Sequence, residues 1–211
     1  TAADNFQKLI DKHGDISRDD IVKAFDVEAL SKEFFDKYKA QYEKFCNYIY
    51  DNRNDESLFG HEFAEWDEKL IRDYVKKLLG RIVFLHFLQK KGWLGVDVNK
   101  QWGEGENQFM RNLFKASTQQ QKDNYLDLVL EPLFANALNS QRTNDIFDLN
   151  VEGYRTTRIP YLNGGLFERD ALDEPKSTFP ASYFEELFEF FYQYNFTIDE
   201  NDPNDAEVGI D

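Results

Sequence analysis

Two short triplets have the residue types of a metal-dependent nuclease. Asp67-Glu68-Lys69 and Glu174-Pro175-Lys176 fit the pattern (D/E)xK, in which acids hold Mg²⁺ and the lysine helps to orient a water molecule. In such nucleases the triplet lies on a strand, whereas the first triplet begins a predicted helix and the second contains proline. Because the chain has 40 Asp and Glu residues, chance matches are expected, and we interpret both triplets as surface features.

Methyl transfer to an adenine amine would need a proline-containing loop such as NPPY, and the chain has no Pro-Pro pair. A glycine-rich cofactor turn should follow an apolar strand. The only candidate, Gly103-Glu104-Gly105, instead follows the polar Asn99-Lys100-Gln101-Trp102. The sequence therefore gives little support for a cofactor site.

The three histidines, His13, His61 and His86, are too scattered for a zinc site. We expect a core or edge position for His86 and a buried thiol at Cys46, which lies on an aromatic helix. A catalytic pair among the many carboxylates stays open, although nothing in the sequence marks one out.

Basic side chains form two candidate DNA-phosphate contacts. Lys69, Arg72, Lys76 and Lys77 follow one helix, and the alternative for them is an ordinary solvated face. Arg155 and Arg158 form the second set. The formal net charge of −15 opposes DNA binding by the whole surface, since phosphate contacts require local cations.

Helical periodicity predicts the elements that position these residues. We predict a short helix from Ser17 to Phe25, two long amphipathic helices over about Glu28–Tyr50 and Asp67–Lys91, and three further helices. These three begin at Asn107, Asp123 and Ala181, and the one that begins at Asp123 bends at Pro132. Gly92 ends the long helix over Asp67–Lys91. An aromatic stripe on the first long helix is expected to face the core rather than to stack nucleobases.

Arg81 lies close to the apolar arc of the second long helix. A guanidinium in that position needs a carboxylate or carbonyl partner. We therefore predict a buried or half-buried ion pair for Arg81.

Residues 159–168, IPYLNGGLFE, combine turn chemistry with large apolar side chains, and we call them the elbow. Leaving its large apolar side chains in water would forfeit about 1.5–3 kcal/mol for each. We expect the elbow to dock a neighbouring domain, or alternatively to cap the core of its own domain. The candidate docking residues are Tyr161, Leu162, Asn163, Gly164, Gly165, Leu166 and Phe167.

These patterns predict an all-α fold: an irregular multi-helix domain with two long amphipathic helices. It includes an ordered loop region over residues 139–180, with room for one small β-hairpin. We expect a single domain over residues 1–198 and an acidic linker over residues 199–211. No apolar run reaches eighteen residues, so no membrane span is expected. The single cysteine suits a reducing cytoplasm.

The elbow resembles a signature of the type IIG restriction-modification enzymes. In that family a nuclease, a helical connector and an adenine-specific DNA methyltransferase share one polypeptide. Residues 25–30 (FDVEAL), 78–88 (LLGRIVFLHFL) and 194–198 (YNFTI) are also similar to connector segments of the family. The chain starts at Thr1 and ends at Asp211, and we expect it to be a piece of a longer protein.

The resemblance implies a non-catalytic spacer that orients an N-terminal endonuclease and a C-terminal methyltransferase over one DNA duplex. The parent protein would use S-adenosylmethionine and Mg²⁺, and this segment would bind neither. Weak, non-specific binding to double-stranded DNA is expected for the segment itself. Two alternatives stay open: an acidic protein that mimics DNA and inhibits nucleases, and a free-standing hydrolase.

Overall fold

The computed structural model describes residues 32–162 and 165–194, and most of them are helical. The predicted all-α, irregular multi-helix fold is confirmed. The predicted helix from Ser17 to Phe25, the elbow residues Asn163 and Gly164, and the acidic linker lie outside the described residues.

Helix α1 spans Lys32–Asn52, where a helix over about Glu28–Tyr50 was predicted. Its aromatic stripe packs inward, as expected: Phe34 stacks on Phe190 with the ring centroids 5.3 Å apart, and Phe45 lies 4.9 Å from Phe179. Both α1 rings are almost completely buried. They therefore belong to the core and are not available to nucleobases.

Helix α2 spans Glu68–Lys90 and runs through the middle of the domain. Asp67 caps its start, because the side chain accepts a hydrogen bond from the Leu70 amide at 2.8 Å. At its end, Gly92 adopts a φ of 65°, which lets the Gly92 and Trp93 amides bond back to Gln89 and Leu88. The apolar residues that recur along this helix are buried, namely Tyr74, Leu78, Ile82 and Leu85. Leu70, in the first turn, is instead 37% exposed.

Helix α3, Phe109–Ala116, confirms the next predicted helix. A helix that bends at Pro132 was predicted over Asp123–Leu138. The chain is helical over residues 125–138, but most of these residues form π-helix rather than α-helix. A short helix α4, Gln119–Asp123, comes first, followed by two π-helical stretches, Leu126–Leu130 and Pro132–Leu138, that meet at Glu131. The proline has no N–H to donate to the preceding turn, so a regular α-helical ladder cannot continue through it.

Three short strands form an antiparallel sheet. Strands β2, Ile146–Phe147, and β3, Thr157–Arg158, pair within the predicted loop region, where one small hairpin was expected. Strand β1, Val96–Asp97, joins them from a stretch predicted as loop, with Val96 opposite Arg158, so the strand order is β1-β3-β2. The sheet thus ties the chain after α2 to the chain before the elbow.

The last of the described helices, α5, spans Ala181–Tyr192 and buries five apolar side chains against α1, α2 and α3. Phe184 and Phe188 contact Tyr125 from the start of the π-helical region, with ring centroids 5.4 and 5.9 Å away. The core is therefore one continuous, phenylalanine-rich cluster. None of the described helices is long and apolar enough to cross a membrane.

Candidate functional site

Arg81 joins helix α2 to the segment that follows the elbow turn, residues 165–178, which we call the strap. Its side chain is almost fully buried. The guanidinium donates two hydrogen bonds to the Asp173 carboxylate, at 2.8 and 3.0 Å. It also donates to the carbonyl oxygens of Leu166, at 2.7 Å, and Glu168, at 3.0 Å. The predicted buried ion pair is confirmed, and both carbonyls belong to the elbow.

Asp173 forms an ion pair with a second cation. Lys77 donates to its carboxylate at 2.6 Å and also pairs with Asp170 at 2.7 Å. Burial raises the pKa of Asp173, but the hydrogen bonds from Arg81 and Lys77 outweigh burial, and the pKa is lowered overall. The carboxylate is therefore charged at neutral pH, and two helix cations hold it.

The strap is also fixed along its length. Phe167 packs between Phe84 and Phe134, with centroid distances of 5.7 Å to each ring. Near its other end, Thr178 donates from its amide to the Leu58 carbonyl at 2.8 Å, and the hydroxyls of Tyr74 and Ser177 lie 2.5 Å apart. We name this whole arrangement, centred on Arg81 and Asp173, the clamp.

The clamp bears on the expected docking role of the elbow. Leu162 and Phe167 are 8% and 2% exposed, so they cap the core of their own domain, which was the alternative interpretation for these two residues. Tyr161 and Leu166 are half-buried, and Gly165 is exposed. A docking surface for another domain is therefore left to the half-buried and exposed residues.

The candidate phosphate contacts on α2 each have a carboxylate partner. Lys69 and Lys76 both pair with Asp73, at 2.9 and 3.5 Å. Arg72 pairs with Glu68 at 2.5 Å, and Lys77 is held in the clamp. This face carries alternating charges rather than a row of free cations.

The two candidate arginines near the sheet differ from each other. Arg155 lies 3.6 Å from Asp148. Arg158 has no carboxylate within 4.0 Å among the described residues. Its guanidinium lies over the Trp102 ring, 4.2 Å from the centroid, and donates to the Lys100 carbonyl at 2.8 Å.

Two carboxylates that the sequence did not distinguish lie one turn apart in the π-helical region. Burial and the nearby Asp127 raise the pKa of Glu131 to about 7. Burial also raises the pKa of Asp127, and its Oδ1 is buried without a hydrogen-bond partner among the described residues. The charges around Glu131 from other elements are Arg169 and Asp173 on the strap and Arg81 on α2.

The residues first considered for catalysis have other roles here. In the first nuclease-like triplet, Asp67 caps α2 and its two neighbours form the helix-surface pairs with Arg72 and Asp73. In the second, Glu174 and Lys176 are exposed. The glycines at 103 and 105 hold a loop against Gly92, since both of their amides donate to its carbonyl.

His86 is buried, as expected, and burial lowers its pKa to about 4, so the ring is neutral at neutral pH. The Cys46 thiol is half-buried beside Tyr42, and burial raises its pKa. Within residues 32–162 and 165–194, no group of three or more His, Cys, Asp or Glu side chains could hold a metal ion.

Comparison of the chain with protein-family models, with curated proteins and with solved structures gives no match.

Proposed function

We propose that this chain is a helical spacer of a DNA restriction-modification protein. It orients an N-terminal endonuclease and a C-terminal, S-adenosylmethionine-dependent adenine-N6 methyltransferase over one duplex. The observation that carries the proposal is the clamp. The elbow carries a resemblance to the connector family, and its Leu166 and Glu168 carbonyls and its Phe167 ring contact the interior of the domain.

A spacer must transmit distance, so it must resist bending. Helices α1 and α2 have 21 and 23 residues, which makes each about 30 Å long at 1.5 Å per residue. The clamp ties the least regular part of the chain to the longer of these rods through a buried, bidentate arginine pair. An irregular segment fixed in this way moves with the helix and adds stiffness.

DNA contact by the spacer itself is proposed to be weak and independent of sequence. Most candidate cations already have a carboxylate partner, and the net charge of −15 repels phosphate at long range. The parent protein would bring the S-adenosylmethionine and the Mg²⁺ to its own catalytic domains.

The encoded protein sequence on both sides of the chain tests this proposal. A nuclease motif upstream, and a glycine-rich cofactor motif followed by an NPPY-like loop downstream, are expected. The protein containing all three parts should methylate adenine and cleave duplex DNA with Mg²⁺, whereas the 211-residue chain alone should do neither. Flanking sequences without these motifs would refute the proposal.

The alternative of an acidic DNA mimic is tested in the same preparation. A mimic presents carboxylates along one continuous face, whereas acids and bases alternate on α2. The 211-residue chain should therefore leave a non-cognate DNase fully active. Stoichiometric inhibition of the DNase would favour the mimic over the spacer.

A further inference from the structure

We propose that Trp102 and Arg158, together with Lys100, form a contact site for the sugar-phosphate backbone of double-stranded DNA. This inference rests on the proposed function and deepens it, because it says which surface of the spacer meets the duplex. Only Arg158 was among the cations predicted from the sequence.

The arginine stands apart from the other predicted contacts. Five of the six cations have a carboxylate within 4.0 Å, and Arg158 does not among the described residues. Lys100 is exposed, and it too has no carboxylate within 4.0 Å among the described residues. A cation that is not already neutralised can displace a condensed counterion from DNA without first breaking an ion pair.

An exposed tryptophan lies under this arginine. Trp102 is 38% exposed and the nearby Val98 is 43% exposed, so two large apolar side chains face solvent within five residues. Tryptophan and arginine together are typical of binding surfaces, because they combine a wide apolar face with directional donors. The ring offers an apolar surface to deoxyribose, while the guanidinium and the lysine offer charge to the adjacent phosphates.

The surrounding backbone holds the pair rigid. Strand β3 lies between the other two strands and positions Arg158, whose Nη1 is anchored on the Lys100 carbonyl at 2.8 Å. The loop that carries Trp102 is fastened to the end of α2 by amide hydrogen bonds from Gly103 and Gly105 to the Gly92 carbonyl, at 3.1 and 2.9 Å. An ordered surface of this kind gives up little conformational entropy on binding.

Two carboxylates limit the affinity of the site. Asp97 and Glu104 flank the tryptophan loop. The Asp97 carboxylate accepts a hydrogen bond from the Asn99 amide at 2.9 Å, and the Glu104 carboxylate accepts one from the Gln101 amide at 2.7 Å. Their charge opposes a close approach of phosphate, so binding should be weak. We expect binding no tighter than the dissociation constant of about 10⁻⁴–10⁻⁶ M that is typical of non-specific DNA binding at physiological salt.

The test is a titration of the 211-residue chain against a short fluorescein-labelled duplex of arbitrary sequence, followed by anisotropy across a range of salt. Trp102→Ala should weaken binding about two- to fivefold, the effect of losing one exposed cation–π contact that holds the guanidinium, and Trp102→Phe should restore part of it. Arg158→Gln should weaken binding and reduce the slope of log K against log salt by about 0.9, the value for one lost phosphate contact. Lys76→Gln, which removes the same charge from a paired position on α2, is the matched control and should change binding less than about twofold.

Equal losses in Lys76→Gln and Arg158→Gln, or unchanged binding in Trp102→Ala, would overturn the inference. Tighter binding to the single strand than to the duplex would overturn it in favour of base stacking. Binding of an acidic peptide through Trp102 without binding of duplex would overturn it in favour of a protein partner. None of these outcomes changes the flanking-sequence test, so failure of this site and failure of the spacer proposal can be told apart.

Discussion

Arg81 joins two parts of the chain that are far apart in sequence. Its carboxylate partner lies 92 residues away and its first carbonyl partner 85 residues away. A guanidinium in the core is tolerated only when its donors are satisfied, and here the Nε and both terminal nitrogens donate. Arg81 can therefore be buried only when the strap is in place, because the strap supplies the acceptors for its guanidinium.

Replacement of Arg81 by methionine should lower the free energy of unfolding by about 2–3 kcal/mol, because the buried Asp173 loses its bidentate partner and keeps only Lys77. Arg72→Met, which removes an exposed pair on the same helix, should cost less than about 1 kcal/mol. Denaturant unfolding followed by circular dichroism measures both values. Similar losses of unfolding free energy in the two variants would mean that the buried pair stabilises the fold no more than the exposed pair does.

The need for a partner at Arg81 could be predicted from its place in an apolar helical arc. The identity of the partner could not, since the loop region contains several acids and no periodicity that orders them. Asp173 is distinguished only by the fold of the strap, which turns its carboxylate towards Lys77 and Arg81. Trp102 was missed for a similar reason, because a tryptophan in a loop gives no signal of its exposure.

Glu131 makes stability depend on pH near neutrality. Its pKa is raised from 4.5 to about 7 by burial and by Asp127, so the folded chain holds this proton more tightly than the unfolded chain. The stability linked to the group is fully present below pH 4.5 and is lost as the pH rises through about 7.

Glu131→Gln should therefore gain stability relative to the original chain as the pH rises from about 5 to about 8. Unfolding free energies of the two proteins across that range give the difference. Glu185→Gln, at an exposed position on α5, is the control, and its difference should stay flat. A Glu131→Gln difference that does not change with pH would contradict the raised pKa.

At the scale of elements, the two long helices follow from the recurrence of apolar residues every three or four positions. The π-helical stretches do not, because a π-turn and an α-turn place apolar residues at similar spacings over so few residues. Proline at 132 indicated a bend but not its geometry. The two-residue strands are too short to show any alternation, and β1 is defined only by its pairing with β3.

Two glycines offer a matched comparison of helix propensity and close backbone approach. A Cβ at Gly80, inside α2, would meet nothing within 4 Å, whereas a Cβ at Gly105 would overlap the backbone oxygens of Leu94 and Gly92. Gly80→Ala should raise the free energy of unfolding by about 0.5–1 kcal/mol. Gly105→Ala should lower it by about 1–3 kcal/mol.

Unfolding in guanidinium chloride tests these two variants, because a shift of the midpoint at an unchanged m-value measures the change in the free energy of unfolding. A stabilising Gly105→Ala would show that the loop carrying Trp102 can move away from the end of α2. The Trp102–Arg158 surface would then not be rigid.

At the scale of the whole molecule, the clamp makes the irregular half of the domain move with its helices. Native-state hydrogen exchange is the most direct measurement, since it reports local opening residue by residue. The amides of Leu162, Asp173 and Thr178, which bond to Leu138, Asp170 and Leu58, should be protected nearly as well as the middle of α2. Arg81→Met should remove that protection while the helix keeps its own. Exchange of these three amides at the rate of an unstructured peptide in the original chain, with α2 still protected, would contradict the account.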